Sequence, residues 1–199
     1  MQLRDQHDIL PLVVGIGGTT NPISSTELAL RAALRVAEET GARTRLIDGP
    51  FLARLPLYAP EVQERTPVQQ ELVETVRRAD GLIVATPAYH AGISGLLKNG
   101  IDLLEDLRDD ERPYLAHRAV GCIVTAYGWQ GGGTTLISVR TTIHALRGWP
   151  TPLGVTLNTA EHLFDESGRV SDRRAADQIA LLVAQVLDFA RRFRRSPTQ

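Results

Sequence analysis

Residues Leu12 to Thr26, LVVGIGGTTNPISST, set an apolar run against glycines and a cluster of hydroxyls. Leu12 to Ile16 has the character of a buried strand. Gly15, Gly17 and Gly18 suit a tight turn, and Thr19, Thr20, Ser24, Ser25 and Thr26 precede a helical pattern that starts at Glu27. The first turn of a helix has backbone N–H groups without intrahelical partners, and the helix dipole is positive there. With hydroxyl donors added, the stretch suits a phosphate. A P-loop needs Gly-Lys-Ser/Thr, which the chain lacks. The dinucleotide pattern G-x-G-x-x-G is met at Gly15 and Gly17 but has Thr20 in place of the third glycine. Asp48, at the end of the second strand, stands where a ribose-binding acid belongs, so this pattern stays open. A hydroxyl-rich loop closing on one terminal phosphate is matched best, by Thr19, Asn21, Ser24, Ser25 and Thr26.

Two further loops carry chemistry, PAYHAGISG after Thr86 and AYGWQGGG after Thr125. Their positions follow from the elements around them. Strands are expected at Leu12–Ile16, Arg43–Asp48, Gly81–Thr86, Val120–Thr125 and Leu153–Leu157. Helices are expected at Glu27–Thr40, Pro67–Arg78, Leu96–Leu107, Thr134–Leu146 and Ser171–Phe193. Thr66 with Pro67 makes a helix start, and Gly41, Gly148 and Pro150 make stops. The connection Gly49–Arg65, with three prolines and two aromatics, has the length of a segment that rims a pocket or packs on a partner. Strands alternating with helices give an α/β fold, an open doubly wound sheet of five parallel strands with helices on both faces. Ligands of such sheets sit at the C-terminal strand ends near the switch in strand order, where all three loops lie. Residues 1–10 suit a disordered lead, and residues 11–195 a single domain.

The 199 residues carry a formal net charge of -1 and 43% hydrophobic content, which argues against a polyelectrolyte partner such as nucleic acid. The basic end at Arg191, Arg192, Arg194 and Arg195 is favourable charge at a helix C-terminus. No apolar run is long enough to span a bilayer, and the first ten residues lack a signal-peptide stretch, so a cytoplasmic location is expected. Cys122, the only cysteine, lies in an apolar strand and suits a buried thiol. No histidines stand at metal-ligand spacing, and the acidic runs Glu38-Glu39 and Asp109-Asp110-Glu111 suit solvated surface.

The motifs together resemble the NAD(P)H-dependent FMN reductase family of flavodoxin-like proteins, over roughly Leu12 to Leu187. The first loop, Gly18 to Thr26, is similar to the family's Gly-Ser-x-Arg-x-x-Ser-x-Asn/Thr. The second carries Pro87, Tyr89, Gly95, Lys98 and Asn99 at the family's spacing and is the most specific of the three. The third, with Tyr127, Gly128, Gly131 and Gly132, matches a glycine-rich turn before a helix. The resemblance implies that Thr19, Asn21, Ser24, Ser25 and Thr26 hold the FMN phosphate. It implies that Pro87, Ala88, Tyr89 and His90 line the isoalloxazine ring, with Ala126, Tyr127 and Gly128 on its other side. Hydride would pass directly between the cofactors NADPH (or NADH) and FMN, so no catalytic side chain is expected. Asn21 replaces the family's usual Arg, which implies weaker FMN binding, and Ala88 replaces a frequent Glu.

The implied protein is an NAD(P)H:FMN oxidoreductase, a homodimer or homotetramer, that supplies reduced flavin to a flavin-dependent monooxygenase. Alternatives are a bound-FMN reductase of quinones, azo or nitro compounds, a flavodoxin-type electron carrier, which the near-zero charge disfavours, or a nicotinamide-only enzyme built on Asp48. Tyr89 suits ring contact. His90 suits either the flavin's pyrimidine edge or a solvent-facing helix start. Lys98 and Asn99 suit structural roles. Trp129 suits either the flavin site or a subunit interface, Trp149 core packing, and His144 a surface position. Arg45, Arg54 and Arg65 are each open as contacts for a 2′-phosphate.

Overall fold

The computed structural model describes residues 10–193, so the expected disordered lead and the arginines at 194 and 195 lie outside the described residues. Six strands are numbered in chain order: β1 (Leu12–Gly17), β2 (Arg43–Ile47), β3 (Gly81–Pro87), β4 (Ala119–Ala126), β5 (Trp149–Pro150) and β6 (Val155–Asn158). The helices are α1 (Ser25–Glu39), α2 (Gly49–Leu52), α3 (Pro67–Arg77), α4 (Gly95–Asp102), α5 (Trp129–Ala145) and α6 (Arg173–Phe193).

The strands form one parallel sheet in the order β2-β1-β3-β4-β5, with β6 also paired to β4. Every residue of β3 and β4 is buried, as apolar runs covered by helices on both faces must be. Helices α1 and α6 pack on one face, through Ala29, Leu30, Ala33, Ile179, Leu182 and Val183. Helices α2 to α5 cover the other, through Leu52, Leu72, Leu97, Ile101, Val139 and Ile143. Each fully buried leucine among them contributes about 2 kcal/mol by leaving water. The order of strands reverses between β1 and β3, which puts the switch point at the turn after β1.

Three expectations are corrected. The expected fifth strand, Leu153–Leu157, is β6 at Val155–Asn158, and an unexpected short strand, β5, precedes it; the two pair with different parts of β4: Ala119 faces Trp149, and Ile123 faces Val155. Thr151 to Gly154 bends away between them, because the Thr151 hydroxyl donates to Leu153 O (2.7 Å) instead of leaving a straight strand. The helix expected from Leu96 to Leu107 stops at Asp102 and tightens into a 3-10 turn over Leu103–Leu107. The connection Gly49–Arg65 begins with α2, whose first turn is capped by Asp48 Oδ1 accepting from Phe51 N (2.9 Å). Thr66 and Pro67 do start α3, in a capping box with Gln69.

Below the N-terminal strand ends lies a buried cation. Arg118 is 1% exposed and donates to the carbonyl oxygens of Ala79 (3.0 Å), Tyr114 (2.7 Å) and Arg77 (2.7 Å). Burial pushes its pKa down to about 9, so it stays charged at neutral pH. Cys122 is buried as expected, and burial pushes its thiol up to about 12, which makes it inert. Trp149 departs from the expected core: it is 56% exposed and packs on Phe189 at 5.5 Å, which itself stacks on Phe193 at 4.3 Å.

Candidate functional site

The three loops meet above the C-terminal ends of β1, β3 and β4 and enclose a cavity of about 400 Å3. The first loop folds on itself before any ligand arrives. Thr19 Oγ1 accepts from Asn21 N (3.1 Å), Asn21 Oδ1 accepts from Ile23 N (3.1 Å), and Ser24 Oγ caps α1 by accepting from Glu27 N (3.3 Å). Gly18 N donates to Ala85 O (3.2 Å), which ties the loop's base to β3. Gly17 makes that approach possible: its φ is +145°, and a Cβ there would lie 1.9 Å from Ala85 O. Thr19, Asn21, Ser24, Ser25 and Thr26 all line the cavity. The hydroxyl of Thr26 is nonetheless engaged inside, 2.5 Å from that of Thr125, and Thr26 is 2% exposed. What this residue offers the cavity is its backbone at the head of α1.

The second loop leaves β3 at Pro87. Ala88 N donates to Thr125 O (2.8 Å), and Thr86 Oγ1 accepts from Ser94 N (3.0 Å), so the loop is pinned at both ends. Pro87, Ala88 and Tyr89 line the cavity. His90 does not: with Ala91 it adopts a left-handed backbone (φ 51° and 60°) in the turn closed by Gly92 N donating to Tyr89 O, and it is exposed. Asn99 holds the neighbouring connection, its Oδ1 accepting from Tyr58 N (2.8 Å) and its Nδ2 donating to Pro56 O (3.0 Å), and Lys98 pairs with Asp102 (2.7 Å).

The third loop is shorter than expected. Gly128, at φ 152° and ψ 151°, caps a helix that begins at Trp129, not Thr134. The glycines expected as a turn therefore form its first turns. Gly132 is needed there because a Cβ would lie 2.4 Å from Thr156 Cγ2, whereas Gly131 and Gly133 have open space around them. Ala126 and Tyr127 line the cavity, while Gly128 and Trp129 do not. Tyr127 is 87% exposed and Trp129 54%. Thr125 and Thr159 complete the lining. Neither is marked by a local motif; the β4–β6 pairing brings Thr159 in, with its N–H donating to Ala126 O (2.8 Å).

The lining contains no lysine or arginine. An anion there meets hydroxyls, amides and a helix dipole only. That donor set fits the phosphate of a flavin mononucleotide, and the apolar wall of Pro87, Ala88, Tyr89, Ala126 and Tyr127 fits its ring. The nicotinamide-only pattern does not fit, since Asp48 caps α2 and lies 3.6 Å from Arg31. Two of the three candidate arginines are held by acids: Arg45 by Glu71 (2.7 Å) and Arg65 by Asp106 (2.9 Å); Arg54 lies over the Phe51 ring. No group of three or more metal-ligating side chains occurs among the described residues.

Residues 11–162 match the family described as NADPH-dependent FMN reductase. The chain belongs to this family. It has a flavodoxin-like fold and is an oxidoreductase that uses FMN with NAD(P)H. An NAD(P)H-dependent FMN reductase of Pseudomonas aeruginosa is 28% identical over 185 residues, covering 92% of this chain and 96% of that protein. A quinone reductase of Escherichia coli K12 is 38% identical over 94 residues, 46% of this chain and 48% of that protein. The flavoenzyme NAD(P)H:(acceptor) oxidoreductase FerB from Paracoccus denitrificans shares the fold, with a TM-score of 0.77 at 16% identity over 92% of this chain and 99% of that one. No helix among the described residues is long and apolar enough to cross a membrane.

Proposed function

We propose that the cavity holds FMN loosely, with its phosphate in the Thr19–Thr26 loop and its ring between Pro87–Tyr89 and Ala126–Tyr127, and that reduced flavin leaves for a partner monooxygenase. Bound flavin supplies the hydride-accepting centre. The chain's own residues position it: Ser25 and Thr26 present the amides at the head of α1, Thr19, Asn21 and Ser24 shape the loop, and the two apolar loop edges exclude water from the ring. The observation that carries this reading is the absence of any cationic side chain from the lining, with Asn21 where the family usually has Arg. A hydrogen bond involving a charged group typically contributes about 1.5–3 kcal/mol, so the loss of a cationic donor weakens phosphate retention. His90 and Gly128 belong to the turns that shape the rim. Tyr89, Tyr127 and Trp129 expose apolar surface around the mouth, and we assign this rim to the contact between subunits of a homodimer or homotetramer.

Flavin-stripped protein titrated with FMN, with NADPH and NADH oxidation followed at each level, tests the reading. Turnover that rises with free FMN is the expected result. Tight stoichiometric FMN, with turnover only after a quinone or azo dye is added, would assign the protein to bound-flavin reduction instead.

A further inference from the structure

Glu27 is the first residue after the phosphate loop, and its side chain is fully buried. The carboxyl group reaches back to the residue before the loop: a Cβ added to Gly18 would lie 2.1 Å from Glu27 Oε2 and 3.2 Å from Gly49 N. Residues 18 and 27 bracket Thr19–Thr26, so this one side chain closes the base of the loop. The turn after β2 presses on the same place, since a Cβ at Gly49 would lie 1.8 Å from Thr19 O. Glu27 is therefore wedged where the turn after β1 meets the turn after β2.

Few groups answer its charge. Arg31, one turn along α1, brings Nη2 to 2.8 Å from Glu27 Oε1 and to 3.6 Å from Asp48, which faces the cluster from the β2–α2 turn. The Gly49 amide is a further polar neighbour. Neither carboxylate oxygen makes a well-aligned hydrogen bond. Burial raises the carboxyl's pKa; Arg31 opposes the shift and Asp48 adds to it. The loop that Glu27 closes lines the cavity assigned to the phosphate, and no lysine or arginine belongs to that lining. An ionised carboxylate at the base of that loop has the wrong sign for a phosphate, and a second negative charge nearby favours the protonated form.

We propose that Glu27 is the positioning residue of the phosphate loop, and that a proton taken up at its buried carboxyl accompanies flavin binding and leaves with flavin release. This rests on the assignment of Thr19–Thr26 to the FMN phosphate. FMN affinity is then lowered by ionisation of Glu27, so rising pH loosens the flavin. Riboflavin, the same ring without the phosphate, does not sense the carboxyl.

The test compares FMN dissociation constants of the wild type and Glu27→Gln from pH 5 to pH 8.5, with riboflavin as a second ligand. The phosphate ionises with a pKa of about 6, and this cancels in the ratio of the two proteins. The expected result is a ratio that grows with pH in favour of the variant, reaching about fivefold or more, for FMN and not for riboflavin. A ratio that stays flat overturns the proposal while leaving the flavin site intact. A ratio that grows equally for riboflavin also overturns it, since the carboxyl would then act on the ring or the fold. Absence of FMN binding by the wild type at every pH overturns the flavin assignment and this proposal together. If the variant does not fold, calorimetry of the wild type in two buffers of different ionisation enthalpy decides. At about pH 7.5 the free phosphate is already doubly ionised, so proton uptake with FMN supports the proposal and its absence overturns it.

Discussion

Thr26 shows how the first loop is built from the inside. Its hydroxyl meets that of Thr125 across 2.5 Å of buried space, joining the head of α1 to the end of β4. Thr26→Val keeps the shape and leaves the Thr125 hydroxyl without a partner, which should cost about 1–3 kcal/mol in chemical denaturation and weaken FMN retention by loosening the loop. At Glu27 the expectation is of the opposite sign. Its folded pKa is raised above the ordinary 4.5, so the folded state binds more protons in the window just above that value, and stability falls as pH rises through it. Glu27→Gln should therefore raise Tm more at pH 8 than at pH 4.5, a difference that parallel thermal melts would reveal. The place of Thr19, Asn21, Ser24 and Ser25 in the cavity lining was legible because a short run of hydroxyls before a helix has one local meaning. Thr125 and Thr159 were not, since parallel pairing, not local sequence, brings them to the cavity. Between the two readings open for His90, spacing could not decide, since it fixes a position in the chain but not the left-handed turn that leaves this residue exposed.

Among elements, the helices and central strands could be read from their apolar periods, and the departures come from single contacts that periodicity ignores. Helix α5 starts early because Gly128 turns the chain and Gly132 lets the helix lie against Thr156, a packing demand that outweighs the glycines' poor helix propensity. The unexpected β5 is separated from β6 because the Thr151 side chain bonds locally to Leu153 O. At the other end of the sheet, Arg118 ties the end of α3, the segment before β3 and the loop before β4 through three carbonyls. Arg118→Met relieves a buried charge but strands all three acceptors, so it should lower stability by about 3 kcal/mol in urea melts. Lysine, with no planar fork, should rescue little of it.

At the scale of the molecule, the doubly wound order gathers the loops that follow β1, β3 and β4 at one end of the sheet. Tyr89 (58% exposed), Tyr127 (87%) and Trp129 (54%) leave apolar surface on the second and third loops, and with a net charge of -1 electrostatic repulsion does little to keep copies apart. Light scattering should therefore give at least twice the 21.8 kDa chain mass. Tyr127→Glu should shift the assembly towards monomer with an unchanged circular dichroism spectrum. An unshifted monomer in the wild type would remove the rim as an interface.

The open glycines of α5 have a consequence for motion. Only Gly132 is required by its neighbours; Gly131 and Gly133 have room for a methyl group, yet each lowers helix stability by about 1 kcal/mol relative to alanine. The head of α5 is thus a weak point in an otherwise well-packed helix, and local opening begins where packing is least. Backbone hydrogen exchange should run fastest over Gly131–Gly133 and slow towards buried Val139 and Ile143. Alanine at both open positions should flatten that gradient, stiffening the segment that follows the Ala126–Tyr127 edge of the cavity.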